Sequence, residues 1–247
     1  MAADAHQTLS ETIYQELRQK ILSGEWPTLM RINELALSRE LHVSRTPIRW
    51  ALERLRDEDL LEYSPRTGFR VKRLTVEDVR EIYQLREMLE GMVYPAAALR
   101  MSESDYEQLH DNIEASREAV ERGDFQALMT LSGEFNHTML IIAKRPRAAM
   151  LIQQLNEYLL NFRRYSFTDS MERRAEAVEE HGQILEAMHH KELILLGELI
   201  QRHMRHAREH VVHSLQEWEK SSRSEPDDSK AGESELGEPA VGARDQA

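Results

Sequence analysis

Two groups of residues have the types and spacing to do chemistry. The first is Arg45, Thr46 and Arg49, within the run Val43-Ser44-Arg45-Thr46-Pro47-Ile48-Arg49. Ser44 can cap a helix by accepting a hydrogen bond from the amides that follow it, and Pro47 is tolerated in a first turn, so a helix is expected from about Arg45. On a 3.6-residue period Ile48, Ala51, Leu52 and Leu55 share one face, Thr46, Arg49 and Trp50 point away from it, and Arg45 sits at the exposed tip. Guanidinium forks suit phosphate oxygens and the O6/N7 edge of guanine, and a free helix N-terminus attracts phosphate. An ordinary amphipathic helix with a solvated basic face has the same pattern, so the neighbouring elements must decide. The second group is histidine. His181 and His203 fall on separate predicted helices, and His203, His206, His210 and His213 keep 3, 4, 3 spacing along one helical face. Imidazoles so placed could bind a transition metal, zinc or nickel, or could simply be solvated or hydrogen-bonded.

The elements that position the arginines are legible on both sides of them. Leu9, Ile13, Leu17 and Ile21 form an i, i+4 stripe with Ser10 available as a cap and Gly24 placed to end the helix, while residues 1–8 carry no pattern and are expected to be mobile. After a turn at Trp26-Pro27, a short helix is expected from Asn33 to Leu41 with Leu35, Ala36 and Leu41 inward. Only His42 and Val43 separate it from the helix at Ser44, which makes a helix-turn-helix. Residues 60–63 and 69–72 read as two strands of a wing, with Arg66 and Gly68 at its tip, where a glycine permits close approach to a phosphate chain or a narrow minor groove. Capped helix, tight turn and basic wing agree with one another, and together they favour double-stranded DNA as the partner.

Composition bounds the remainder. The chain has 247 residues, 40% of them apolar, and no cysteine, which excludes a disulfide framework and a thiolate metal site. No run approaches the ~20 apolar residues that span a membrane, and no apolar signal region opens the chain, so no membrane partner and a cytoplasmic location are expected. The net charge of −12 is unevenly placed: residues 1–73 hold 12 Lys+Arg against 11 Asp+Glu, and residues 39–56 hold 5 against 2. DNA contact needs only such a local basic stripe. From Thr75 to about Trp218 helical stripes recur, giving six or seven helices and an all-α bundle, with breakers at Pro95, Ser102, Gly123, Pro146 and the polar stretch 168–174. Residues 220–247 are acidic, poor in apolar groups and expected to be disordered. The fold expected is therefore mainly α: a winged helix-turn-helix with a small two-stranded wing over 9–73, an all-helical domain over 75–218, and a tail.

Residues 9–73 resemble the winged-helix domain of the GntR superfamily of bacterial transcription regulators in its FadR-like branch. The resemblance rests on Ile21-Leu22-Ser23-Gly24, Ile32-Asn33-Glu34, Val43 to Arg49, Ala51-Leu52 and Arg66-Thr67-Gly68-Phe69. It implies that Arg45, Thr46 and Arg49 contact operator bases and phosphates, that Arg39 lies on the phosphate backbone and that Gly68 marks the wing tip. Three positions depart from the usual pattern: Leu29 and His42 stand where glycines are common, and Trp50 where a glutamate usually follows the arginine. His42 would need φ > 0, and Trp50 would pack under the wing or against sugar edges. The segment Glu180-His181, Ile184, Ala187-Met188, Ile200, His203-Met204 resembles the FCD effector domain. That family commonly holds a divalent metal with an aspartate and three histidines. His181 and His203 fit two of these positions, but Ser132 and Asn136 stand where the aspartate and the remaining histidine should be, so the pocket is expected to persist with the metal weak or absent. Arg86 and Arg163 or Arg164 are expected to line the cavity and to pair with an anionic effector, or with Glu90 or Glu157.

One helix-turn-helix reads few base pairs, so a homodimer on a palindromic operator is expected, built through the helical domain. The whole reads as a ligand-responsive regulator, most simply a repressor, answering to a small carboxylate. The alternatives are a metal-dependent enzyme on a histidine-lined bundle, for which no nucleophile with base, paired carboxylates or phosphate loop is visible, and a constitutive architectural DNA binder.

Overall fold

The computed structural model describes residues 2–165 and 171–224. Two separate hydrophobic cores organise it, one built from residues of 13–71 and one from residues of 79–215.

The first core is enclosed by helix α1 (Ala2–Leu22), strand β1 (Arg31–Ile32), helices α2 (Glu34–Glu40) and α3 (Arg45–Asp57), and strands β2 (Leu61–Ser64) and β3 (Gly68–Val71). Ile13, Leu17 and Ile21 bury one face of α1 as their spacing requires, but Leu9 is exposed. The helix begins at Ala2, so residues 2–8 are helical and Ser10 lies inside the helix, buried, with no capping role. Gly24 ends it at φ 75°, a left-handed turn that a glycine adopts without a Cβ clash, and the Trp26 amide closes onto the Lys20 carbonyl at 3.0 Å. The sheet has three strands rather than two, in the order β1-β3-β2. Arg31 pairs with Arg70 and Ile32 with Phe69, while Ser64 opposite Gly68 closes the wing. Two residues of strand are too short for an alternation signal, which is why the sequence hides β1. It is fixed by tertiary bonds: the Leu29 amide donates to the Val71 carbonyl and the Val71 amide to Met30. Leu29 takes φ 67° to do so, strain of the order of 1–2 kcal/mol for a non-glycine residue.

The second core is enclosed by α4 (Val76–Ala98), α5 (Glu103–Glu121), α6 (Phe125–Ala143), α7 (Pro146–Tyr165), α8 (Met171–His189) and α9 (Leu193–Ser224), six helices among the described residues. Thr75 with Asp78, and Ser102 with Asp105, form capping boxes that start α4 and α5. Gly123 at φ 66° and Lys144 at φ 51° close α5 and α6. Pro95 does not break α4. It lies in the last turns, where the helix continues to Ala98 around Ala96, Ala97 and Ala98, all buried. The stretch read as a polar connection is partly helix, since α8 begins at Met171 and carries Arg173 and Arg174. Likewise α9 runs through 220–224, which the composition had assigned to a tail; residues 225–247 lie outside the described residues. Helix α4 packs on α9, α6 and α7, and α5 on α6 and α8.

Candidate DNA-binding surface and effector cavity

Helix α3 starts where Ser44 places it, in extended backbone at φ −66°, ψ 162°, but the Ser44 hydroxyl makes no capping bond and its side chain is exposed. The tight turn is held instead from α2, where Ser38 Oγ donates to the Val43 carbonyl at 2.6 Å, while Asn33 Oδ1 caps the start of α2 by accepting from the Leu35 and Ala36 amides, both at 3.0 Å. His42 adopts φ 53° between the two helices, the left-handed conformation for which a glycine would be the ordinary choice. Within α2 the inward residue is Leu37, not Leu35 or Ala36, because the helix presents a single buried position to α3.

The two faces of α3 separate as their period requires: Pro47, Ile48, Ala51, Leu52 and Leu55 are buried, and Arg45, Thr46, Arg49 and Trp50 are exposed. Arg39 at the end of α2 and Arg66 at the wing tip are exposed as well, and Gly68 takes φ 73° with open space where a Cβ would stand. Two features escaped the period. Glu34 accepts an ion pair from Arg45 Nη2 at 3.3 Å and from Arg49 Nη1 at 3.9 Å, and Arg49 Nε also donates to Glu53 at 3.1 Å. Trp50 is partly exposed and packs on α1 rather than under the wing. Its ring meets Tyr14 edge-on at 6.5 Å, and Arg54 covers the Tyr14 ring at 4.0 Å and the Trp50 ring at 5.4 Å.

In the helical domain a cavity of about 570 Å³ is lined by Arg86, Ser132, Asn136, His181 and His203, the residues singled out by sequence, and also by His137, His210, Gln153, Asn156, Glu157, Arg173 and Arg174. His206 and His213 do not join it: the first faces a second surface depression with Glu180 and the other a third with Arg80. The side chains of Arg163 and Arg164 lie outside the described residues, although their backbone belongs to α7. Arg86 is buried and committed, with Nε and Nη2 both on Glu90 Oε1 at 2.9 Å. Glu90 Oε2 is buried without a hydrogen-bond partner, which leaves the pair one donor short. His181 stacks flat on Phe135 at 4.7 Å and 6°, and burial, followed by the charge of His203, holds its imidazole well below 6.5. Burial alone would raise the Glu180 carboxyl, but hydrogen bonds from His203 Nδ1 and His206 Nδ1, each at 2.6 Å, and from Arg173 outweigh it and hold it at about 2.

These residues do not fit a divalent metal. In the cavity His181 and His203 bring their imidazoles together, with ring centroids 4.8 Å apart. Asn136 is engaged elsewhere, accepting from the Tyr94 hydroxyl at 3.1 Å and donating to the Ser132 carbonyl at 2.9 Å. Among the described residues no group of three or more His, Cys, Asp or Glu side chains is arranged to hold an ion.

The two parts are tied together at the far end of α3. Arg18 of α1 donates to Glu58, the residue capping α3, at 3.1 Å, and also to Glu157 of α7. The Tyr14 hydroxyl donates to the same Glu58 carboxylate, and burial with that bond pushes it up to about 12. Tyr158 donates its hydroxyl to the Glu58 carbonyl at 2.9 Å. Arg73 pairs with Glu219 and lies over the Trp218 ring at 5.3 Å.

A winged helix whose outer face carries exposed arginine forks, joined to a helical domain with a cavity lined by arginine and histidine, defines a DNA-binding transcription regulator. Residues 9–71 match the bacterial regulatory proteins of the gntR family and residues 81–206 match the FCD domain. The HTH-type transcriptional regulator YdhC of Bacillus subtilis (strain 168) is 30% identical over 209 residues, 83% of this chain and 91% of the relative. The HTH-type transcriptional repressor RspR of Escherichia coli (strain K12) is 25% identical over 85% of this chain and 90% of its own length. The solved structure of E. coli McbR/YncC shares the fold, with a TM-score of 0.66 at 21% identity over 85% of this chain and 98% of that one. The chain belongs to the GntR family of regulators that carry an FCD domain, which are DNA-binding proteins and not enzymes. No helix among the described residues is long and apolar enough to cross a membrane.

Proposed function

We propose that the protein is a ligand-responsive repressor that binds a palindromic operator as a homodimer and is released by a small carboxylate-type metabolite. Arg45, Thr46 and Arg49 read base edges and phosphates in the major groove, Ser44 and Arg39 lie along the backbone, and Arg66 and Gly68 bring the wing to the adjacent groove. Trp50 supports this face from behind through Tyr14 and Arg54. The exposed apolar stripe Leu85, Met88 and Met92 on α4, continued by its C-cap Leu99, is suited to a second copy, which would give two reading heads. The name of RspR as a repressor favours that sign of regulation. In the cavity, the donors of Arg86 not spent on Glu90, with Asn136, His181, His203 and the cations Arg173 and Arg174, suit an anion. Metal is weak or absent there. Stoichiometric zinc or nickel by elemental analysis, lost on replacing His181 and His203, would overturn that part.

One observation carries the response to ligand. Glu157 lines the cavity and at the same time holds Arg18, whose other bond is to the residue that caps the reading helix. A ligand that draws Glu157 inward therefore loosens the hold of α7 on α3, and the coupling is the difference in ligand affinity between the two arrangements. The test is selection of bound fragments from the source genome, followed by titration of the recovered duplex with small carboxylates. The expected result is one palindrome bound at two protomers per site and released by one compound. Equal affinity for all duplexes, or release by none of the carboxylates, would overturn the reading.

A further inference from the structure

A carboxylate stands in the middle of the basic reading face. Glu34 opens α2, where the helix N-terminus favours its charge, and its side chain is only 15% exposed, whereas Arg45 and Arg49 are 63% and 51% exposed. Its two oxygens are divided between the two arginines: Oε2 faces Arg45 Nη2 and Oε1 faces Arg49 Nη1. A negative group among phosphates opposes binding to any DNA, so its place here is not explained by affinity. As a lone surface ion pair it would add little stability either. Both points change when the arginines are considered as readers. Each guanidinium has five donors. Arg45 directs one Nη2 hydrogen at Glu34, and the second Nη2 hydrogen still forms one edge of the fork with Nε or Nη1 for a base. Arg49 is shared between Glu34 and Glu53, and its planar fork is thereby fixed in direction.

We propose that Glu34 is a specificity-determining residue: it orients Arg45 and Arg49 toward guanine edges and penalises their diversion to phosphate. On operator DNA an arginine can meet O6 and N7 of guanine while keeping Glu34, because each Nη carries two hydrogens and only one of them faces the carboxylate. On other DNA the same arginine must swing to a phosphate, which leaves the Glu34 carboxylate unpaired in the field of the backbone. Discrimination then comes partly from a group that weakens the wrong complex. The proposal rests on the reading that Arg45 and Arg49 contact bases.

The full-length protein is compared with Glu34→Ala, Glu34→Gln and Arg49→Ala on the operator recovered by genomic selection and on a random duplex of equal length, at fixed salt. Circular dichroism and melting establish that each variant is folded, and Glu34→Gln keeps the side-chain shape should Glu34→Ala fail to fold. The expected result for both Glu34 variants is tighter binding to random duplex together with weaker binding to operator, so that the ratio falls about tenfold. Repeating the selection with Glu34→Ala should give a motif with relaxed guanine preference. Parallel changes on both duplexes would show that only net charge or folding was altered and would overturn the proposal, as would an unchanged ratio. If Arg49→Ala leaves operator binding intact, the base-reading role itself fails, and the proposal with it.

Discussion

Arg86 and Glu90 are the side chains whose pairing is least dispensable. Both are buried on α4, one turn apart, and each removes the other's uncompensated charge. Replacing Arg86 with Met leaves a carboxylate that already has one oxygen unsatisfied, so we expect a loss of about 3–5 kcal/mol in chemical denaturation. The double variant Arg86→Met/Glu90→Gln should recover most of it, since a neutral amide is less costly to bury. His181 gives a pH signature. Its pKa is depressed by burial, so between that depressed value and 6.5 the unfolded chain takes up a proton that the folded chain refuses. The contribution is complete above 6.5 and declines as pH falls below it. Glu180, held at about 2, loses its contribution only below 4.5, so the fall between pH 6.5 and 4.5 does not come from it. The melting temperature should fall between about pH 7 and pH 5, and His181→Gln should flatten that slope; an unchanged slope would assign it to other groups.

Helix α7 belongs to both halves of the molecule. Gln153, Asn156 and Glu157 line the cavity, and Tyr158, the next residue, donates to the Glu58 carbonyl at the end of α3. Tyr158→Phe keeps the ring and removes one hydrogen bond. We expect a loss of about 1 kcal/mol and faster amide exchange in the last turn of α3, read by hydrogen-exchange mass spectrometry. Faster exchange confined to α7 would mean that the bond does not restrain the reading helix. Glu157→Gln addresses the other arm: it loosens the hold on Arg18 in advance, so operator binding without ligand should already weaken, and the further release by the carboxylate found in the titration should shrink about fivefold or more.

The arrangement of the whole molecule bears on how many reading heads it presents. Met88, Met92 and Leu85 stand exposed on α4 among the described residues. A charge there opposes any apolar contact while leaving the core untouched. Met88→Glu should shift sedimentation toward the monomer and weaken operator binding, with the melting of the helical domain preserved. An unchanged sedimentation profile would move the dimer contact to another face.

Much of this protein was legible in its sequence because it depends on periodicity and local chemistry. Ile48, Ala51, Leu52 and Leu55 could only turn inward together, which forces Arg45, Thr46 and Arg49 outward, and Gly24 and Gly123 end helices through backbone freedom alone. The capping boxes of α4 and α5 are likewise local. Other features depend on what the chain meets in space. Strand β1 exists because β3 offers it an edge, and α4 continues past Pro95 to the buried Ala96, Ala97 and Ala98. Trp50 turns toward Tyr14 of α1, and Glu34 comes between two arginines 11 and 15 positions later in the chain. Sequence pattern reports which face a residue occupies, since that follows from the helical period. Only tertiary structure decides which partner waits there, because burial and charge pairing bring together groups that the chain itself keeps apart.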